Sequence, residues 1–352
     1  MKNKLLRIAL ALGFLILGQA ALLAQQVFTT TIYLDYTYFL TNKGPLTTPP
    51  PANPNFMNNF FTFRRAYFRY ENKISDNLKF RLTYDADYVK AVDASGKKDD
   101  KLRPFIKHLN LEWSNLIPNS SIKVGMTDTL TFKLAEDRWG YRSVAKTLTD
   151  GYKDVAGAEI DASSADIGAS INGSISKQIR YGFMVANGAG YSHPEGDKYK
   201  KLAAQLHFIP IAGLSLVGYI DYEKQDSSNE AYTYKADAYL EMVKNLVIGA
   251  EYFVYNNDKN KTVDLRHYDV SGLSLFGRYT FKPDVFSIFA RFDRYEPNSK
   301  ISDDQISLII AGFDWAPLHK SLRIQPNIWY YTYQNSTKKD DTIFNLTFLM
   351  SF

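Results

Sequence analysis

Apolar and polar residues alternate with a period of two along most of this chain. The closing segment shows it most plainly. Phe344, Leu346, Phe348, Met350 and Phe352 share one parity, and Asn345, Thr347 and Ser351 share the other. A strand projects successive side chains to opposite faces, so this one is greasy on one side and small or polar on the other. Comparable segments recur near 28–39, 58–71, 78–88, 104–114, 121–127, 165–175, 179–187, 198–209, 214–224, 231–242, 246–256, 269–281, 285–295, 304–315, 321–333 and 342–352. That spacing predicts an all-β fold of about sixteen strands, an even number, as a bacterial membrane barrel requires.

Gap lengths alternate too. Asn72–Asn77, Asn115–Ser120, Lys177-Gln178, Pro210–Gly213, Lys244-Asn245, Lys282–Asp284 and Pro317–Lys320 carry the Pro, Gly, Asn and Asp of tight turns. The intervening gaps, such as Thr41–Asn55, Ala91–Arg103 and Asn257–His267, are longer and more polar. A transmembrane antiparallel up-and-down β-barrel has this form, with short periplasmic turns and long external loops, and both termini then fall in the periplasm.

Parity assigns faces. Leu214, Leu216, Gly218, Ile220 and Tyr222 point to lipid, against Ser215, Tyr219 and Asp221 inward. Phe286, Ile288, Ala290 and Phe292 point out, against Arg291 and Asp293; Leu322, Ile324 and Ile328 oppose Arg323, Gln325 and Asn327. Two strands do not sort. Ile306, Leu308, Ile309 and Ile310 blur strand 304–315, which then packs on a neighbouring subunit or holds a bulge. Arg64 and Arg65 occupy both parities, so one lies near an interface or a bulge turns both inward. The basic residues assigned to the lumen are Arg64, Lys79, Arg81, Lys123, Arg180, Lys201, Lys235, Arg278, Arg291 and Arg323. Asp85, Asp87, Glu112, Asp221, Asp237, Glu241, Glu251 and Asp293 nearly balance them.

The gap from Asp128 to about Ser164 is far longer than the others. A structureless connection of this length is usually functional. Folded inward, it would narrow a lumen otherwise wide enough for water and solutes. Lys133, Arg138, Arg142 and Lys146 would then stand at the constriction against Glu136, Asp137 and Asp150. Uncancelled, the cations would favour anions. Paired with those carboxylates, they would amount to a solvated charged surface.

Composition changes the picture in three ways. Lys2, Lys4 and Arg7, the apolar run Ile8–Leu17 and the small residues Gly18, Ala20, Ala21 and Ala24 read as a signal peptide over residues 1–24, leaving a single barrel domain over 25–352. The chain is +5 overall; without the three leader cations it is +2, so the basic pI implies no nucleic-acid partner. The 25 Tyr, 23 Phe and 4 Trp coexist with a mean hydropathy of −0.29. Interfacial aromatic girdles on a half-polar barrel reconcile these values better than a secreted β-sandwich, which would also alternate.

Catalytic and cofactor signatures are absent from the sequence. There is no phosphate-binding glycine loop, nucleophile elbow or His-Glu-x-x-His, and there is no Cys. His108, His193, His207, His267 and His319 lack metal-ligand spacing, and no cofactor is implied. Asp99-Asp100, Asp303-Asp304 and Asp340-Asp341 fall in outer connections and read first as solvated loop charge; bridging to lipopolysaccharide through divalent cations is the alternative.

Phe63-Arg64-Arg65-Ala66-Tyr67-Phe68-Arg69-Tyr70 and Phe80-Arg81-Leu82-Thr83-Tyr84-Asp85-Ala86-Asp87 resemble the second and third strands of the phosphate-selective porin O and P-like family. So do Val124-Gly125-Met126, Trp139-Gly140-Tyr141-Arg142, Lys146-Thr147 and the Ser-x-Asp-Ile-Gly form of Ser163-Ser164-Ala165-Asp166-Ile167-Gly168. The likeness covers roughly 60–190 by motif and the rest by architecture; the lysine ladder of that family has no match here. It implies a homotrimeric porin in the outer membrane of a Gram-negative-type bacterium, passing small hydrophilic or anionic solutes. It also implies a terminal Phe352 read by the barrel assembly machinery. A barrel phospholipase or protease, and a closed structural or adhesive barrel, are the competing readings.

Overall fold

A computed structural model describes residues 26–41, 59–88, 101–151, 163–262, 267–335 and 338–352. The expected leader (1–24) and most of the connections at 41–55 and 91–103 lie outside them. Sixteen strands form a closed barrel, each antiparallel to its sequence neighbours, and β1 closes on β16. They are β1 (Gln26–Thr41), β2 (Asn59–Lys73), β3 (Leu78–Tyr88), β4 (Leu102–Ser114), β5 (Ser120–Asp128), β6 (Ala165–Ser174), β7 (Ile179–Ala186) and β8 (Lys201–Ile211). Then follow β9 (Leu214–Lys224), β10 (Glu230–Leu240), β11 (Leu246–Lys261), β12 (His267–Lys282), β13 (Phe286–Glu296), β14 (Ile306–Trp315), β15 (Leu322–Tyr333) and β16 (Asp341–Ser351).

Alternation carries the fold. Phe61, Leu111, Phe183, Leu206, Ile248, Leu275, Ile288, Ile309 and Ile328 are exposed on the outer surface and form its apolar belt. Such a belt on a closed barrel is a lipid-facing surface, and closure leaves no unpaired strand edge in hydrocarbon. The opposite parity is buried and mostly polar, including Ser215, Asp221, Thr233, Asp237, Arg291 and Asp293.

The short turns use residues that tolerate the left-handed region. Asn115, Asn119, Asn245 and Asp284 have φ near +60°, and Gly213 has φ +82°. Asn and Asp tolerate this conformation better than other side chains, and Gly adopts it without strain. β1 begins and β16 ends at this same turn-bearing end, where Phe352 and Thr30 exchange backbone hydrogen bonds at 2.8 and 2.9 Å.

Both irregular strands have physical explanations. The β1–β2 register shifts between Tyr33 and Leu34, skipping Arg64, so a bulge directs Arg64 and Arg65 to the same side. β14 has an unbroken register with β13. Ile306, Leu308 and Ile310 are buried on the inner face and Ile309 is exposed outside. The strand therefore sorts after all. Its second apolar face, Ile306, Leu308 and Ile310, joins a buried cluster with a chain segment of this same molecule.

Candidate functional site

That segment connects β5 to β6. Its described parts are residues 129–151, with two short helices, α1 (Lys133–Trp139) and α2 (Leu148–Gly151), and residues 163–164. Gly140 ends α1 with φ +75°, and its N–H donates to the Glu136 carbonyl at 2.9 Å. A left-handed stop here turns the chain so that Trp139 and Tyr141 both reach the wall.

Trp139 is fully buried. Its indole N–H donates to the Ala145 carbonyl at 3.1 Å, and its ring meets Tyr141, Phe276 and Phe289 edge-on at 5.4–5.9 Å between centroids. The Arg291 guanidinium lies over the same ring at 5.3 Å. Leu148 is equally buried, and Gly272 makes room for it: a Cβ there would stand 2.6 Å from Phe253 and 3.1 Å from Leu148. The buried cluster also takes in Tyr255, Val270, Tyr295, Ile306, Ile310, Tyr331 and Ile343.

Inner-wall side chains also satisfy the segment's backbone. Gln205 donates to the Leu130 carbonyl at 3.0 Å, Lys235 to Thr131 at 3.4 Å, Arg278 to Arg138 at 3.2 Å and Arg291 to Lys146 at 2.5 Å. Arg64 donates to the Ser143 carbonyl, and the Ser143 hydroxyl donates to Gln325 at 2.7 Å. These donors come from β2, β8, β10, β12 and β13. Irregular backbone needs such partners wherever it leaves water.

All four sequence-predicted cations of the segment are paired. Lys133 meets Asp137 at 2.5 Å, Arg138 meets Glu241 at 2.8 Å, and Lys146 meets Asp150 at 3.2 Å. Arg142 lies 2.8 Å from Glu136 and 3.5 Å from Asp150.

The wall cations fall into two groups. On β12–β15, Arg278 serves the segment's backbone, Arg291 is held by Asp293 at 2.5 Å, and Arg323 by Asp314 at 2.6 Å. On β2–β5 the basic residues crowd together. Arg64 binds Asp35 at 2.6 Å, Arg65 binds Asp85 at 2.9 Å, Arg81 binds Asp128 at 3.0 Å and Lys79 binds Glu71 at 3.1 Å. Lys123 is looser, 3.9 Å from Glu112 and 4.0 Å from Asp128. Arg69 has neither a hydrogen bond nor an ion pair among the described residues.

Two members of this group escaped the parity assignment. A second bulge, between Thr83 and Tyr84 in the β3–β4 register, skips Lys107 and buries both Lys107 and His108. Lys107 lies 3.8 Å from Asp85 and over the Tyr67 and Tyr191 rings at 5.1 and 5.6 Å. His108 meets Asp128 at 3.0 Å. The signal was present in sequence: the outward apolar parity switches between Ile106 and Leu109.

The facing wall has the opposite surplus. On β8–β11 Asp221, Glu223, Asp237 and Glu251, with Glu241 just beyond the end of β10, outnumber Lys201 and Lys235. Lys235 sits between Asp237 at 2.9 Å and Glu251 at 3.2 Å. Between these walls, beside α1, lies a polar cavity of about 550 Å³. Glu112, Lys123, Lys133, Asp137, Asn172 and Arg180 are among its lining residues. No group of three or more potential metal ligands gathers among the described residues.

No family model matches the chain, and no curated protein matches it. Solved structures do match. OmpF of Salmonella typhi, in complex with daunomycin, aligns with a TM-score of 0.62 at 11% identity, covering 93% of this chain and 97% of that one. An anion-selective porin from Comamonas acidovorans aligns with a TM-score of 0.61 at 10% identity, covering 93% and 99%. The outer-membrane channel DcaP of Acinetobacter baumannii aligns with a TM-score of 0.60 at 11% identity, covering 93% and 97%. At such identities the likeness is one of fold: this chain has the sixteen-stranded barrel architecture of outer-membrane porins.

Proposed function

We propose that this protein is an outer-membrane porin passing small hydrophilic solutes by diffusion, with a mild preference for anions. One observation carries the reading: a closed barrel of sixteen strands has a charged inner wall crossed by a segment whose backbone is held from several strands. Barrels of about this size leave an aqueous channel unless something fills them. The segment 129–151 acts as the narrowing element, folded inward from the third external connection, with Lys133, Glu136, Asp137, Arg138, Arg142 and Lys146 at its rim. Because its own charges are paired, the preference comes from the β2–β5 wall, where Arg69 has no ion-pair partner among the described residues and Lys123 is loosely paired. The phosphate-selective porin O and P-like resemblance and the anion selectivity attributed to the Comamonas protein support this assignment, and a homotrimer is the assembly it proposes. Short turns then face the periplasm, and the outer connections face lipopolysaccharide.

The test is single-channel recording in planar bilayers. Purified protein should insert with discrete conductance steps. Deleting Phe132–Lys146 should enlarge the steps and weaken ion selectivity. Repeated insertion without current would favour a structural barrel, and hydrolysis of phospholipid or peptide by the purified barrel would favour an enzyme. Unchanged conductance in a correctly folded deletion variant would place the segment outside the current path.

A further inference from the structure

The polar cavity beside α1 contains charge it does not use. Its carboxylates are engaged: Glu112 accepts from the Ser121 hydroxyl at 2.6 Å, Asp128 meets Arg81 and His108 at 3.0 Å each, and Asp137 closes on Lys133. Arg180, second residue of β7, lines the same cavity with an exposed side chain. Among the described residues it has no hydrogen bond and no ion pair. Directly opposite it in the β7–β8 register stands His207, which is 5% exposed, lines the cavity and has an Nε2 without a hydrogen-bond partner. A buried polar atom left unmatched is costly, so native structures rarely keep one without a use. Ser170 and Asn172 add a hydroxyl and an amide to the same lining. The cavity volume of about 550 Å³ is in the range of small-molecule sites.

We propose that Arg180 and His207 anchor the oxyanion of a hydroxylated solute, the carboxylate or phosphate of a sugar acid or sugar phosphate. A guanidinium takes an oxyanion with two parallel N–H bonds. An imidazole with its proton on Nε2 supplies a further donor from the adjacent strand. Ser170 and Asn172 match the solute's hydroxyls. The anion supplies the one charge that the cavity's carboxylates do not. The proposal rests on the porin reading for the solute's access and not for its binding.

The experiment is isothermal titration of the folded barrel in detergent with three probes: gluconate, glucose 6-phosphate and glucose. Both anions should bind and neutral glucose should not. The tighter of the two identifies the preferred oxyanion. R180Q should weaken anion binding about tenfold, the loss of one charge-assisted contact. H207Q should weaken it less. The charge-neutral double variant E195Q/K200Q, an ion pair at 3.2 Å outside the cavity lining, should change affinity less than about twofold. Equal anion affinity in R180Q, equal binding of glucose, or no anion binding by the unmodified barrel would each overturn the site. Conductance without anion binding refutes the site alone, whereas anion binding without conductance supports the site and refutes the porin reading.

Discussion

The inner faces of β1–β5 and β11–β15 obey the same alternation but differ in chemistry. On β11–β15 the inward residues include Phe253, Phe276, Phe289, Ile306, Ile310 and Tyr331, closing on Trp139, Tyr141 and Leu148 as the halves of a globular core close on each other. On β1–β5 the inward positions hold Arg64, Arg65, Arg81, Lys107 and Lys123 among carboxylates, and two bulges raise the cation count. "Inward" in a barrel is thus a direction and not a chemical class. What packs against a wall decides whether it is built dry or wet. The dry wall holds the segment in place, and the wet wall keeps its charges beside the remaining space.

Breaking the dry wall should have the largest effect. Trp139→Ala removes a fully buried indole and should cost about 3–5 kcal/mol in the packing of the segment. Limited proteolysis should then cut between Thr129 and Gly151, and open-channel current noise should rise. Resistance equal to that of the parent would mean that the aromatic cluster does not hold the segment.

Altering the wet wall should have a moderate and selective effect. The double variant R69Q/K123Q should move the reversal potential in a salt gradient toward cations. A unit charge a few ångströms from a passing ion in water is worth about 1 kcal/mol, roughly fivefold in the permeability ratio. The shift should fade near 1 M salt, where the Debye length is about 3 Å. The paired variant E136Q/R142Q removes one charge of each sign from the segment and should leave the reversal potential unchanged. If the paired variant moves selectivity as far as the wall variant, the segment and not the wall sets it.

The smallest effect lies outside both walls. Asp304, between β13 and β14, has its carboxyl pushed up to about 7 by partial burial and then by neighbouring Glu296. Its proton is held more tightly in the folded chain than in the unfolded one, where an Asp titrates near 4. The stabilising contribution is therefore full below about pH 4 and declines as pH rises to about 7. Amide exchange across 297–305 should be better protected at pH 5 than at pH 8 once the intrinsic rate is corrected. Asp304→Asn should remove that difference.

The strands were legible because lipid on one side and polar atoms on the other write a period of two into the chain. Arg64-Arg65 and Ile306–Ile310 broke that period, and both breaks mark structure: a bulge in one case, an apolar seat in the other. Lys107 and His108 went unread because the parity switch at Ile106–Leu109 is bridged by only two residues. The cations of segment 129–151 were legible as residues but not as pairs. Glu241, the partner of Arg138, is 103 positions away, and no local spacing announces it.

The seam between β1 and β16 has its own consequence. Asp35, buried on β1, accepts from Thr347 at 2.6 Å across 312 residues and from Arg64 on β2. The last strand can meet the first only after the whole chain has been laid down, so closing the ring is the step with the greatest loop entropy to overcome. A two-residue slip there would put Asn345 or Leu349 opposite Asp35 in place of Thr347. With Leu349 the carboxylate would lose that hydroxyl to an alkyl group. One acidic side chain thereby checks the final strand against a slip toward Leu349, and a ring closed out of step in that direction is penalised at the moment of assembly.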